Sequence, residues 1–96
     1  MVIGILQVEL IVDGSESLKD KRRVVRSMKD RLHREHQVSV AEVDKQESLT
    51  HAVLGIVMAS SDVKYTQSVL DKLVDKIQKG RGYYLHDYEI EILSGR

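Results

Sequence analysis

Apolar residues follow two different rhythms along this chain, and the difference separates strands from helices. The segment Val2–Val12 (VIGILQVELIV) is β-branched and aliphatic almost throughout and stops at the turn-rich DGSES. A second run of this kind occupies His51–Ser60 (HAVLGIVMAS). Because both runs are apolar at odd and even positions alike, they predict the two central strands of a sheet.

Two further segments are more polar and predict edge strands. Val38–Asp44 (VSVAEVD) alternates only in part, whereas Leu85–Leu93 alternates along its length. The predicted apolar side of Leu85–Leu93 consists of His86, Tyr88, Ile90 and Ile92. The predicted polar side consists of Asp87, Glu89 and Glu91.

Helical spacing appears between these strands. Ser17 is a good N-cap, and Asp20 follows at the spacing of a capping box, which predicts a helix to about His36. Its predicted buried stripe consists of Leu18, Val25, Met28 and Leu32.

A second helix is predicted after Ser61 or Asp62, either of which suits the N-cap position. The apolar stripe of this helix consists of Val63, Thr66, Leu70, Leu73 and Ile77. Gly80 stands where a helix-terminating C′ glycine belongs.

The order β-α-β-β-α-β predicts an α+β fold, the ferredoxin-like sandwich, as a single domain over residues 1–96. Right-handed crossovers place both helices on one face of a four-stranded antiparallel sheet. The other face then has no helices, although both central strands carry apolar residues on it. Exposed apolar surface of this kind typically marks an interface, so we expect a homo-oligomer, a homodimer in the simplest case.

Charge changes the picture, because it is unevenly distributed. The chain has 15 basic and 15 acidic residues, yet Ser17–His36 holds eight basic and three acidic ones, a net charge of +5. The protein therefore has no overall positive charge, and any polyanion must bind a local basic patch. We predict RNA or phosphate contacts through the first half of the helix, from Lys19, Lys21, Arg22, Arg23 and Arg26. Cations in the first helical turns oppose the helix dipole, so helix stability alone does not select them.

Other chemistries are poorly represented in the sequence. No cysteine is present, and neither a G-x-S-x-G nor a phosphate-binding glycine motif occurs. His33 and His36 lack a third strong metal ligand, and Asp87, Glu89 and Glu91 are typical of a protected edge strand. The absence of Phe and Trp argues against base stacking on the sheet. We predict no enzyme activity, no cofactor, no metal, no membrane segment and a cytoplasmic location.

The strings SLKDKRRVVRSMKDRL and VSVAEVD resemble the YlxP-like family of small bacterial proteins of unknown function. The signature of that family, S-L-K-[DE]-K-R, matches Ser17–Arg22, and the resemblance spans essentially the whole chain. It implies a ferredoxin-like fold, a cytoplasmic location and no known catalytic activity. Family members are often encoded beside translation initiation and ribosome-maturation factors, which implies work linked to RNA or the ribosome.

Two hypotheses follow from the sequence. The first is a non-enzymatic RNA- or ribosome-associated protein that contacts phosphates through its basic first helix. The second is a homo-oligomeric protein-interaction or small-ligand regulatory module that uses the open sheet face. A merely solvated helix face, with pairs such as Arg26–Asp30, is the simplest alternative explanation of the charge.

Overall fold

The computed structural model describes residues 1–95 and has the ferredoxin-like α+β architecture that the sequence predicts. In chain order its elements are β1 (Val2–Val12), α1 (Leu18–Glu35), β2 (Ser39–Asp44), β3 (His51–Ser60), α2 (Val63–Gln78) and β4 (Tyr83–Ser94). The four strands form one antiparallel sheet in the order β2-β3-β1-β4. The two most apolar runs are therefore the central strands, as predicted.

The core lies between the sheet and the two helices. Even-numbered residues of β1, such as Leu6, Val8 and Leu10, are fully buried there, and odd-numbered ones lie on the open face. From the helices the core receives Val25, Met28, Leu32, Leu70, Leu73, Val74 and Ile77. Neither described helix is long and apolar enough to span a membrane.

Both helices begin at side-chain caps. The Ser17 hydroxyl accepts a hydrogen bond from the backbone N–H of Asp20 at 3.1 Å, and the Asp20 carboxylate accepts one from the N–H of Glu16 at 3.2 Å. The predicted N-cap at Ser17 is confirmed, whereas the capping box is only half formed, because the Asp20 carboxylate accepts from the residue before the cap and not from the N–H of Ser17 itself. Asp62, and not Ser61, caps α2 by accepting from the N–H of Tyr65 at 2.6 Å.

A β-bulge in β4 corrects the predicted faces of this strand. Leu85 and Asp87 pair with consecutive residues of β1, so His86 is the extra residue of the bulge. The His86 ring lies edge-on to that of His51, with 6.2 Å between ring centroids. The expectation that His86 shares a side with Tyr88 is therefore wrong.

Gly80 follows α2 as predicted, but for a different physical reason. The backbone there is not left-handed; instead, a Cβ at Gly80 would overlap the phenol of Tyr83. The Tyr83 hydroxyl donates to the carbonyl oxygen of Ile77 at 2.7 Å, which folds the connection back onto the end of α2. Close approach, rather than a positive φ angle, thus favours glycine at this position.

Candidate nucleic-acid interface

The outward side of α1 forms a continuous cationic surface. Four of the five predicted phosphate-binding residues, Lys19, Arg22, Arg23 and Arg26, are exposed there. We call this surface the α1 basic face; it borders a shallow depression of about 820 Å³ lined by Lys19, Arg22, Arg23, Arg26, Ser27, Asp30, Arg31 and Arg34. Six cations and one carboxylate give this lining a formal net charge of +5.

The cations of the α1 basic face have no ion-pair partner in the described part of the chain. Among residues 1–95, no carboxylate oxygen lies within 4.0 Å of their guanidinium or ammonium nitrogens. The helix pair Arg26–Asp30 expected for a self-compensated face does not form an ion pair. At physiological salt, where screening acts over about 8 Å, a nearby polyanion therefore experiences several uncompensated charges together.

Lys21, the fifth predicted residue, does not belong to this surface. Its side chain is fully buried (0% exposed), and Nζ donates to the carbonyl oxygens of Lys45 at 2.8 Å, His51 at 3.0 Å and Gln46 at 3.3 Å. The same nitrogen lies 3.3 Å from a carboxylate oxygen of Glu42. The prediction that Lys21 contacts phosphate is therefore wrong, because its ammonium group is enclosed by protein acceptors.

Helical spacing contained the signal for this burial. Lys21 precedes Val25 by four residues and Met28 by seven, so it falls within the apolar stripe of α1. Its ammonium group holds the connection between β2 and β3 against the helix. Lys45 in that connection adopts a left-handed backbone (φ 59°). Burial among protein acceptors therefore explains Lys21 near the start of α1, whereas Arg22 and Arg23 remain exposed cations that oppose the helix dipole.

A smaller cleft adjoins the α1 basic face and was not predicted from the sequence. Its volume is about 240 Å³, and it separates α1 from the segment that joins α2 to β4. Its lining consists of Arg23, Val24, Ser27, Met28, Arg31, Arg81 and Tyr83. Burial raises the pKa of the Tyr83 phenol, against the opposing influence of the Arg31 guanidinium. The α1 residues of this cleft share one flank of the helix, but Arg81 joins them only through the tertiary fold.

The two histidines considered for metal binding have separate protein partners. His33 Nδ1 lies 2.9 Å from the carbonyl oxygen of Val38, and His36 Nε2 lies 3.3 Å from Lys76 Nζ. Lys76 also pairs with Glu35. Within residues 1–95, no three His, Asp or Glu side chains are grouped so that they could hold a metal ion.

The open sheet face is apolar at one end and charged at the other. Register places Ile3 between Ala59 and Leu93, and Ile5 beside Val57; Val57 and Leu93 are 42% and 48% exposed. At the other end, the Glu9 carboxylate accepts from Lys45 Nζ at 2.8 Å and lies 2.9 Å from His51 Nδ1.

These two contacts, led by Lys45, lower the pKa of Glu9 to about 2. Asp87 lies opposite Glu9 in the pairing of β1 with β4, and Glu89 and Glu91 follow on the same exposed side of the strand. The acidic side of β4 is therefore where the sequence predicts it, along an edge of the open face.

The fold and the site together define a small ferredoxin-like α+β protein with a cationic first helix. The chain belongs to the family described as "Protein of unknown function (DUF503)", which matches residues 3–90. It is 29% identical over 73 residues to the "Uncharacterized protein YlxP" of Bacillus subtilis (strain 168), an alignment that covers 76% of this chain and 79% of that protein. The resemblance drawn from the sequence is confirmed.

The signature Ser17–Arg22 divides into folding residues and exposed residues. Ser17 caps α1, the Asp20 carboxylate accepts from the N–H of Glu16 just before it, and Lys21 anchors the β2–β3 connection. Lys19 and Arg22 project outward to the α1 basic face. Half of this signature therefore has a structural explanation, while two of its cations have no described protein partner.

Proposed function

We propose that this protein is a non-enzymatic RNA-binding factor, associated with RNA or the ribosome, that contacts phosphates through the α1 basic face. The observation that carries this proposal is the set of unpaired, outward cations on one helix of an electrically neutral protein. Charges that served only solubility would be interspersed with carboxylates, as they are on α2. RNA is the polyanion that the translation-linked genes beside family members favour.

Binding through this surface positions the protein on a backbone and reads little sequence. Arg and Lys contacts to phosphate oxygens fix orientation, whereas base identity requires contacts to base edges or stacking. The central strands β1 and β3 contain no Phe, Tyr or Trp, so the sheet lacks the stacking platform of the RNA-recognition-motif kind. Affinity should therefore depend steeply on salt, with a slope of log affinity against log salt of roughly −0.7 per phosphate contact on a single strand.

The test is to remove two cations from the α1 basic face. An Arg22→Gln/Arg26→Gln variant should bind single-stranded RNA at least about tenfold more weakly at low salt, with a slope shallower by about 1.4. Fluorescence anisotropy titrations at several salt concentrations measure both quantities.

The matched control is Lys64→Gln/Lys72→Gln, which removes two exposed lysines from α2. It loses the same charge from a different surface and should change affinity less than about threefold. Equal losses of RNA affinity in the two double variants would mean that only net charge matters, and would contradict the proposed site.

A second candidate function, self-association through the open sheet face, is favoured by the apolar end of that face. Ile3, Ile5, Val57 and Leu93 lie together there and retain exposed area. A second copy meeting this patch would bury it. Light scattering should then report a dimer for the wild type and a monomer for Val57→Lys. The wild-type dimer should not bind RNA at moderate salt. A monomer that binds RNA would favour the first function.

A further inference from the structure

We propose that the cleft between α1 and the α2–β4 connection binds a single phosphate group, and this inference rests on the proposed RNA-binding function. The cleft is lined by three guanidinium groups, those of Arg23, Arg31 and Arg81. No carboxylate oxygen lies within 4.0 Å of any of them among residues 1–95. A concave site with three positive charges and no internal anion is chemically suited to an oxyanion.

Helix geometry brings the α1 side of this cleft together. Arg23, Ser27 and Arg31 are spaced by four residues, so successive turns present two guanidinium groups with a hydroxyl between them. Phosphate oxygens accept hydrogen bonds from both kinds of group. Val24 and Met28 add apolar wall, which excludes water from part of the cleft and strengthens the electrostatic contacts in it.

Arg31 supplies the most specific indication of a ligand. The guanidinium lies within hydrogen-bonding reach of the Tyr83 hydroxyl, but the Nε–H itself is buried and has no acceptor in hydrogen-bonding geometry among residues 1–95. Buried donors in folded proteins are ordinarily paired, and an unpaired one at a ligand-sized cleft indicates where an acceptor belongs. A guanidinium donates through Nε and a terminal nitrogen in parallel, the arrangement that matches two oxygens of one phosphate.

The opposite wall of the cleft is held in place by the α2–β4 connection. Tyr83 packs against Gly80 and hydrogen-bonds to the end of α2, while the carbonyl oxygen of Gly82 accepts from the N–H of Asp13 at 3.1 Å. Arg81 lies between these two fixed points, with Gly82 in a left-handed backbone (φ 89°). The connection thus presents Arg81 to the cleft from a braced loop, which lowers the cost of ordering it around a ligand.

Phosphate reaches this cleft in one of two chemical forms. The cleft shares Arg23, Ser27 and Arg31 with the depression on the α1 basic face. A chain that follows α1 would therefore place either an internal phosphodiester or a terminal phosphate monoester there. The monoester carries more negative charge at neutral pH, with a second pKa of about 6.

The experiment compares wild type, Arg81→Gln and the control Lys64→Gln on two versions of one short single-stranded oligoribonucleotide. The two versions differ only in a 5′-phosphate or 5′-hydroxyl, and both carry a 3′ label for anisotropy. Arg81 and Lys64 are both exposed; Lys64 lies in the first turn of α2 and Arg81 follows its C-terminal end, so the variants lose equal charge at opposite ends of this helix. We expect Arg81→Gln to weaken binding at least about fivefold and Lys64→Gln less than twofold.

The two phosphate sources give different patterns. A terminal site predicts that wild type prefers the 5′-phosphate oligonucleotide and that Arg81→Gln abolishes the preference. An internal site predicts equal weakening on both oligonucleotides. Equal effects of Arg81→Gln and Lys64→Gln on both would overturn the cleft assignment.

A charge-conserving variant separates geometry from net charge. Arg31→Lys keeps the positive charge but removes the buried Nε donor, and it should weaken binding at least about threefold. A thermal melt of this variant verifies its folding, and wild-type affinity in a folded Arg31→Lys protein would overturn the inference.

The outcome also distinguishes this inference from the proposed function. Arg22 and Arg26 lie outside the cleft lining. If RNA affinity falls in the Arg22→Gln/Arg26→Gln variant but is unaffected by Arg81→Gln, the α1 basic face binds RNA and the cleft does not bind phosphate. RNA affinity that is unchanged in both variants would contradict the RNA-binding role of the α1 basic face and the phosphate site in the cleft.

Discussion

Replacement of Lys21 by Met should destabilise the protein far more than replacement of any exposed cation on the same helix. Met has a similar length and suits the apolar stripe in which Lys21 lies, so the change removes the ammonium group and little packing volume. It leaves three backbone carbonyls without their hydrogen-bond donor and the Glu42 carboxylate without its neighbouring positive charge.

The magnitude follows from the burial of this group. Removing one partner of a buried ion pair typically costs ~3–5 kcal/mol, because the remaining charge is left uncompensated. A domain of this size is typically stable by ~5–15 kcal/mol, so the loss is a large fraction of the whole. Since 1 kcal/mol shifts the melting temperature of a domain of 60–100 residues by ~4–8 °C, we expect a decrease of at least about 12 °C.

Urea denaturation followed by far-UV circular dichroism measures this loss directly. Lys19→Met is the matched control, because Lys19 is exposed two residues earlier on α1 and its replacement should cost no more than about 0.5 kcal/mol. A Lys21→Met/Glu42→Gln double variant should lose less stability than the sum of the two single changes, with a coupling of ~0.5–3 kcal/mol. If Lys21→Met costs no more than Lys19→Met, the anchoring role assigned to Lys21 is refuted.

Two further predictions concern the ends of the sheet. Gly80→Ala should destabilise the protein by ~1–3 kcal/mol, because the added methyl group displaces the phenol of Tyr83. Tyr83→Phe removes only the hydrogen bond to Ile77 and should cost ~1 kcal/mol. Urea denaturation of both variants tests this order. Glu9 has a folded-state pKa of about 2 against an ordinary value of 4.5, so its contacts with Lys45 and His51 stabilise the protein above pH 4.5 and are lost as the pH falls toward 2. The stability difference between wild type and Glu9→Gln, measured by denaturation across this range, should therefore shrink on acidification, and a difference that is constant with pH would contradict the assignment.

The periodicity of the sequence was sufficient to predict the fold because topology and pattern agree. The two most apolar runs are the central strands, and the predicted stripes of both helices face the core except at Val63, which is 44% exposed in the first turn of α2. Local rules also located the cap at Ser17 and narrowed the second cap to Ser61 or Asp62, of which Asp62 is the cap. The bulge at His86 was not predictable in this way, since alternation continues through it in the sequence while the pairing with β1 does not.

The candidate site was predicted in part, and its errors have a common physical origin. A count of charges treats every Lys as a surface group, so it included Lys21, although the spacing from Lys21 to Val25 and Met28 indicated burial. The same count missed the cleft, because Arg31 and Arg81 are brought together only when the α2–β4 connection folds back beside α1. Sequence patterns therefore identify a charged face more readily than a concave site made from distant segments.

The most direct test of the central claim is to map the RNA-contacting surface by NMR on the ¹⁵N-labelled protein, titrated with single-stranded RNA at low salt. We predict that the largest shift changes occur in the backbone amides of residues 19–34 and in the Nε–H signals of Arg22, Arg23 and Arg26, and that added salt reverses them. The signals of β2, β3 and the open sheet face should change little. Shift changes centred on the open face, or none at RNA concentrations that saturate comparable basic proteins, would contradict the claim that α1 is the RNA-binding surface.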